Sequence, residues 1–399
     1  MPIAKCRITG ISLFGIWPSA LGILFHAQPR DVILLLGMST QLDILALEPF
    51  YGGVRKAMLE TVMRCSRHRW TLLKLPPRRI ERRLSAAAHW FAEQLSRHWA
   101  GRLDLLFTSE ALNLADLLRL VPYLERKPSV VYFHDNQLQD PDGPQGNAAN
   151  DLVNLNTAQA ALELWFNSEF HLNLFAYRAA AMVERHAELS SRNPVPEMLA
   201  KSRVMPPPFD LHLASTIQMS NPIKRQQRTI FVSTRDADME LLNLGLSTLS
   251  MRGERFTLMT VGPLENLSNS FPRVAIDEGD EYAQTTALLR ADIFLSTRRW
   301  APVDLFAVRA LTAGCWPILP EDGVYTEMIP RKFRNSCLFD GTPDSMASRI
   351  QDVWHLHPEA DATAEVAFQD SIKGFDAFAA CKAMDERLSV LVERHPDGR

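Results

Sequence analysis

Ser129-Val130-Val131-Tyr132-Phe133-His134-Asp135-Asn136-Gln137 passes from a short, mostly apolar run straight into four consecutive polar residues. A run of this length without polar alternation reads as a strand buried on both faces, the condition of a parallel sheet flanked by helices. The abrupt polar tail marks the carboxyl end of that strand, where open α/β sheets bind their ligands. Within the tail His134 is a candidate hydrogen-bonding or acid/base group. The competing reading is a structural histidine followed by the capping residues Asp135 and Asn136.

The same pattern repeats on either side. Asp43 to Leu47, Trp70 to Leu75, Asp104 to Phe107 and Leu162 to Phe166 are further buried runs, with helical stretches between them. The clearest of these, Glu81 to Trp99, carries Leu84, Ala88, Phe91 and Leu95 at intervals of three to four, the period of a helix with one buried face. This alternation predicts a doubly wound sheet over residues 39–211. A polar, aperiodic stretch at 212–227 reads as a linker. A second alternation follows over 228–362, with strands at Thr229 to Val232, Phe256 to Val261, Ile293 to Ser296 and Cys315 to Leu319. Residues 363–399 read as terminal helices crossing back to the first domain. The expectation is therefore α/β, two Rossmann-like doubly wound domains facing a cleft.

Composition sets limits. A chain of 399 residues exceeds what one core organises, and 46% hydrophobic with 22% charged residues is ordinary for a globular protein. A formal net charge of −3 gives no overall basic excess for nucleic acid, so any RNA contact must be local. The five cysteines lack CxxC spacing, which points away from zinc and towards a reducing compartment. Lys5 and Arg7 precede an apolar run from Ile8 to Phe25 broken by Pro18. Residues 1–38 are read as an over-long start with Met38 as initiator, the alternative being a weak signal peptide.

Three segments carry candidate chemistry. Glu48-Pro49-Phe50-Tyr51-Gly52-Gly53-Val54-Arg55-Lys56 sets two glycines at a strand-to-helix turn, where backbone can approach a phosphate or sugar, or simply turn tightly. Trp165-Phe166-Asn167-Ser168-Glu169-Phe170-His171 is a second strand with a polar tail, in which Asn167 or Ser168 can cap the next helix. Between Arg55 and Arg83 ten basic residues stand against two acidic ones, Arg78, Arg79, Arg82 and Arg83 among them. That stretch is either an RNA contact or a solvated helix face.

Together with Tyr132 to Leu138, these segments resemble, in order, motifs of the tRNA-queuosine alpha-mannosyltransferases: E-A-F-Y-G-G-S-H-K, Y-F-H-E-N-Q-L and W-F-N-S-E-F-H. The resemblance implies a GT-B fold and retaining transfer of mannose from GDP-mannose to the cyclopentenediol of queuosine in tRNA. It implies no protein nucleophile and no metal, since the leaving diphosphate can take the acceptor proton, and a cytoplasmic enzyme. By the same resemblance His134 is the catalytic residue, while Glu48, Gly52, Gly53, Asn136, Gln137, Asn167 and Glu169 line the acceptor side.

In the second half Leu295-Ser296-Thr297, Ala313 to Pro320 and Val324 to Pro330 are similar to the family's I-S-T, C-G-C-Y-P-L-C-P and V-Y-P-E-I-F-P. Between them the family's E-F-F-G-V-A-M-L-E is replaced by Ala301-Pro302-Val303-Asp304-Leu305-Phe306-Ala307-Val308-Arg309. Both glutamates are absent, Asp304 stands where a glycine would let the loop approach the diphosphate, and Arg309 takes the ribose-binding position. Arg235 matches the family's donor arginine, but Glu240 replaces its lysine. The resemblance thus assigns the donor to Arg235, Thr297, Arg298, Asp304 and Arg309, with a carboxylate repelling the diphosphate. Two alternatives follow from these departures: an RNA-binding relative of the same fold without donor binding, or a transferase with another donor or acceptor.

Overall fold

The computed structural model describes residues 41–99, 101–135, 137–141, 148–185, 193–356 and 362–395. The expectations for residues 1–38 and Asn136 lie outside them. Six parallel strands form the first sheet: β1 (Asp43–Glu48), β2 (Arg69–Lys74), β3 (Leu105–Ser109), β4 (Ser129–Phe133), β5 (Glu163–Phe166) and β6 (Ser202–Val204), in the order β2-β1-β3-β4-β5-β6. Six more form the second: β7 (Gln226–Ser233), β8 (Thr257–Val261), β9 (Arg273–Ile276), β10 (Ala291–Leu295), β11 (Trp316–Pro320) and β12 (Leu338–Phe339), in the order β12-β11-β10-β7-β8-β9. Each order reverses once, between β1 and β3 and between β7 and β10. Those switch points are where such sheets open a ligand crevice.

Alternation along the strands divides the first core in two. Ile44, Ala46, Phe107, Tyr132 and Trp165 face the helices Gly53–Cys65 and Ala377–Glu393, whereas Leu45, Leu47, Leu106, Phe133 and Phe166 face the helix Ile80–His98 and those that follow it. Successive side chains of a strand point to opposite faces, so an uninterrupted apolar run requires cover on both.

The helix Ala377–Glu393 therefore belongs to the core of the first lobe. Its buried Asp385 accepts hydrogen bonds from the Ser66 hydroxyl (2.5 Å) and the Arg67 N–H (2.8 Å). The chain passes between lobes twice, and the passages lie side by side. Phe209 N–H donates to Phe375 O at 2.8 Å, and the two rings stack 6.1 Å apart. The stretch read as an aperiodic linker instead contains a helix, His212–Ser220, which buries Ala214 and Ile217 against the second core. Among the described residues no helix is long and apolar enough to cross a membrane.

Candidate active site

The carboxyl ends of the two sheets meet. The Ser168 hydroxyl, just past β5, donates to Pro302 O at 2.7 Å, in the segment that follows β10. Val54 and Ala57 of the first lobe pack on the second lobe's core. Most of the candidate residues fall along these two edges.

At the β1/β3 switch point Gly52 and Gly53 form the turn into the helix Gly53–Cys65. A Cβ on Gly52 would meet Pro77 at 2.7 Å, so this glycine permits the chain after β2 to pack on the turn. Gly53 has φ of +53° and open space where a Cβ would sit, leaving its backbone accessible at an uncapped helix N-terminus.

Behind the turn lie two buried carboxylates with one guanidinium between them. Glu48 accepts from Phe50 N–H (2.7 Å) and the Ser109 hydroxyl (3.0 Å). Burial pushes its carboxyl pKa up against the opposing pull of Arg55, whose Nε lies 3.9 Å away. Glu110, which sequence reasoning missed, is fully buried. It accepts from Arg55, from His134 N–H (3.1 Å) and from Asp135 N–H (3.2 Å).

His134 is buried above Tyr132, ring centroids 4.6 Å apart. Its carbonyl accepts from the Asn167 amide at 3.0 Å, and its Nδ1 has no hydrogen-bond partner among the described residues. Burial, with Arg55 and His171 nearby, holds its pKa well below the ordinary histidine value. The ring is thus a neutral imidazole, fit to orient a hydroxyl rather than to carry a charge. Asn167 also bonds His171 Nδ1 at 2.6 Å, and Gln137 N–H donates to Asn154 Oδ1 at 2.7 Å. Asn167 and Gln137 therefore brace the edge.

Glu169 begins the helix Glu169–Arg185, where the Ser168 hydroxyl accepts from His171 N–H (3.1 Å) as a cap. Across the seam the Glu327 carboxylate takes the Glu169 N–H (3.2 Å) and the Phe170 N–H. The Glu169 side chain is exposed.

On the donor side the resemblance needs correcting. Asp304 does not face a diphosphate as a free carboxylate. It is buried and caps the helix Leu305–Thr312, accepting from Ala307 N–H (3.1 Å) and the Tyr325 hydroxyl (2.7 Å). Arg309 is engaged by Glu281 and is 16% exposed. Arg235 makes two bonds to Glu278, one of 2.6 Å, with both side chains about half exposed. Thr297 bonds Asp238 O (2.9 Å), and Arg298 bonds Val303 O (3.2 Å). Glu240 lies in the first turn of the helix Met239–Met251.

Of the basic stretch, Arg78, Arg79 and Arg82 are exposed, whereas Arg83 is half-buried and donates to Pro76 O at 3.2 Å. The contact between Gly52 and Pro77 places the chain carrying Arg78 and Arg79 beside the glycine turn.

Burial of the two histidines makes the edge acid-sensitive. The His171 pKa is lowered to about 4 by burial, partly opposed by Asp135. Unfolded, it takes a proton near pH 6.5. Its contribution to stability is full above that value and is lost as pH falls towards 4. Urea unfolding at pH 7.5 and pH 5.5 is expected to show about 1 to 1.5 kcal/mol lost from this group alone, and His171→Phe should flatten the slope.

Residues 43–209 match the family described as tRNA-queuosine alpha-mannosyltransferase N-terminal. The chain is 27% identical over 316 residues to a tRNA-queuosine alpha-mannosyltransferase of Drosophila melanogaster, covering 72% of this chain and 82% of that protein. Among solved structures, Anabaena HepE with UDP and glucose matches at TM-score 0.59 and 14% identity, over 88% of this chain and all of that one. Sucrose-phosphate synthase from Thermosynechococcus elongatus matches at TM-score 0.60 and 14% identity, with the same coverage. The chain is a glycosyltransferase of GT-B fold, and residues 43–209 of its first lobe match the N-terminal family model of the tRNA-queuosine alpha-mannosyltransferases.

Proposed function

We propose that the protein transfers mannose from GDP-mannose to queuosine in tRNA, in the cytoplasm and without a metal. The observation that carries this reading is the convergence of the family-matched motifs on one sheet edge, opposite the switch point between β7 and β10. The donor lies between the lobes, with its diphosphate towards Arg235 and the accessible backbone at Gly53. The bond from the anomeric carbon to the diphosphate breaks, and the acceptor oxygen bonds to the same face. The leaving diphosphate takes the acceptor's proton. Neutral His134 orients a hydroxyl through Nδ1, and Arg78, Arg79 and Arg82 meet the RNA backbone.

Arg235 and Arg309 differ in their availability. An exposed ion pair is worth only about 0.2 to 1 kcal/mol, so a diphosphate can draw Arg235 away from Glu278. Arg309, largely buried against Glu281, stays structural. This occupied donor face favours a second reading, a transferase with a different nucleotide sugar.

Calorimetry with GDP-mannose and UDP-glucose separates the two. Micromolar GDP-mannose binding is expected, weakened about tenfold by Arg235→Ala, since a charged hydrogen bond contributes roughly 1.5 to 3 kcal/mol before the cost of leaving Glu278. Selective UDP-glucose binding moves the assignment to the second reading. Failure of a folded protein to bind either sugar nucleotide removes the proposed donor.

A further inference from the structure

We propose that Glu110 is a positioning residue for sugar transfer. It fixes the imidazole of His134 relative to the glycine turn by holding the backbone of His134 and the guanidinium of Arg55 at the same time. The inference rests on the reading that His134 meets the substrate.

Four observations converge on this carboxylate. Its two oxygens accept from adjacent N–H groups, His134 at 3.1 Å and Asp135 at 3.2 Å, at the point where β4 becomes a loop. The same side chain binds Arg55, in the first turn of the helix that begins at Gly53. Glu110 is itself tied down. Its N–H donates to Tyr132 O (3.3 Å) and its carbonyl accepts from the Asn154 amide (3.1 Å). Finally, the His134 carbonyl is held from the other side by Asn167, while Nδ1 has no partner among the described residues. A group pinned at both backbone atoms, with one ring nitrogen buried and unpartnered among the described residues, is preorganised for a contact still to come.

The isosteric Glu110→Gln keeps one acceptor oxygen and turns an amide donor towards groups that themselves donate. It is expected to fold and to lower kcat for transfer from GDP-mannose at least tenfold, with KM for the donor within about threefold. Combined with His134→Ala, it should add nothing to the loss caused by His134→Ala alone, because residues acting through one another are non-additive. Multiplying losses, or a loss from Glu110→Gln when His134→Ala loses nothing, would overturn the proposal.

A readout without substrate separates this inference from the proposed function. In nitrogen-15 spectra, identified by its disappearance in His134→Ala, the imidazole of His134 should remain neutral across pH 5.5 to 8 in the wild type. In Glu110→Gln its resonances should shift while the ring stays neutral, because loss of the carboxylate leaves the Arg55 charge uncompensated beside it. An unmoved imidazole overturns the positioning role whatever the substrate, whereas lack of transfer from GDP-mannose by the wild type overturns only the donor assignment. Should Glu110→Gln not fold, Arg55→Lys tests the same arm. It keeps the charge but loses the guanidinium N–H that Glu110 accepts, and should also shift the imidazole.

Discussion

His134→Ala is expected to lower kcat for mannosyl transfer by about two orders of magnitude, within the range for a positioned hydrogen-bonding or proton-handling side chain. GDP-mannose binding should change by less than about threefold, because the donor's diphosphate is assigned to Arg235 and the Gly53 backbone rather than to His134. The asymmetry follows from geometry. The ring is fixed from below by Tyr132, and its backbone by Glu110 and Asn167. Its removal deletes the buried, unpartnered Nδ1 without dismantling the edge. His134→Phe sharpens the test, since a phenyl ring can keep the packing on Tyr132 but offers no nitrogen. Equal losses in the two variants, with unchanged melting temperature, identify the nitrogen as the functional atom. Full activity in His134→Phe reduces His134 to a packing residue. The imidazole is held neutral by burial, so kcat should show no inflection near pH 6.5 from this group.

The sequence conveyed the sheets well because most strands are buried on both faces, and a continuous apolar run such as Ser129–Phe133 has few other interpretations. Of the four edge strands it conveyed only β2. Ser202–Val204 is three residues long and incompletely buried, Arg273–Ile276 exposes its middle, and Leu338–Phe339 is only two residues long, so none carries an apolar run long enough to read as a strand. The helix His212–Ser220 was hidden by its polar surface, although Ala214 and Ile217 mark a narrow buried stripe.

At the site the limits are of another kind. Motifs brought His134 and the glycine pair to one sheet edge, but Glu110 bonds backbone N–H groups 24 and 25 residues away, and no residue pattern announces such a contact. Asp304 is different. An aspartate immediately before the apolar run Leu305-Phe306-Ala307-Val308 is an N-cap signal, and it was legible as one. The comparison with a glycine-bearing motif drew attention instead to its charge. Whether a carboxylate repels a ligand depends on where it points, and here the helix N-terminus, Ser296 and Tyr325 draw it inward.

The largest stability effect is expected at the far end of the first lobe, from Arg387→Ala. Arg387 sits on the returning helix Ala377–Glu393, where its Nε lies 2.9 and 3.0 Å from the two oxygens of Glu163, at the start of β5. Glu163 is 3% exposed and also accepts from the Trp165 indole at 2.7 Å. Burial raises its carboxyl pKa, but Arg387 and Trp165 outweigh that and hold it below the usual range. Removing Arg387 leaves a buried charge with only the indole and the half-exposed Arg203 (3.2 Å). Breaking a buried pair in this way costs about 3 to 5 kcal/mol, and Arg203 places the expectation near 3. Urea unfolding at pH 7.5 should show it. The carboxyl's folded pKa is depressed, so its stabilisation is present above the unfolded value near 4.5 and is lost as pH falls below it. The wild-type advantage over Arg387→Ala should therefore shrink below pH 4.5. Double replacement of Glu163 and Arg387 by leucine and methionine separates charge from packing. It should recover much of the loss, because well-packed apolar residues can replace a buried ion pair at little cost. If the double variant is no better than Arg387→Ala, the helix is held to the lobe by shape at this point rather than by the balance of its charges.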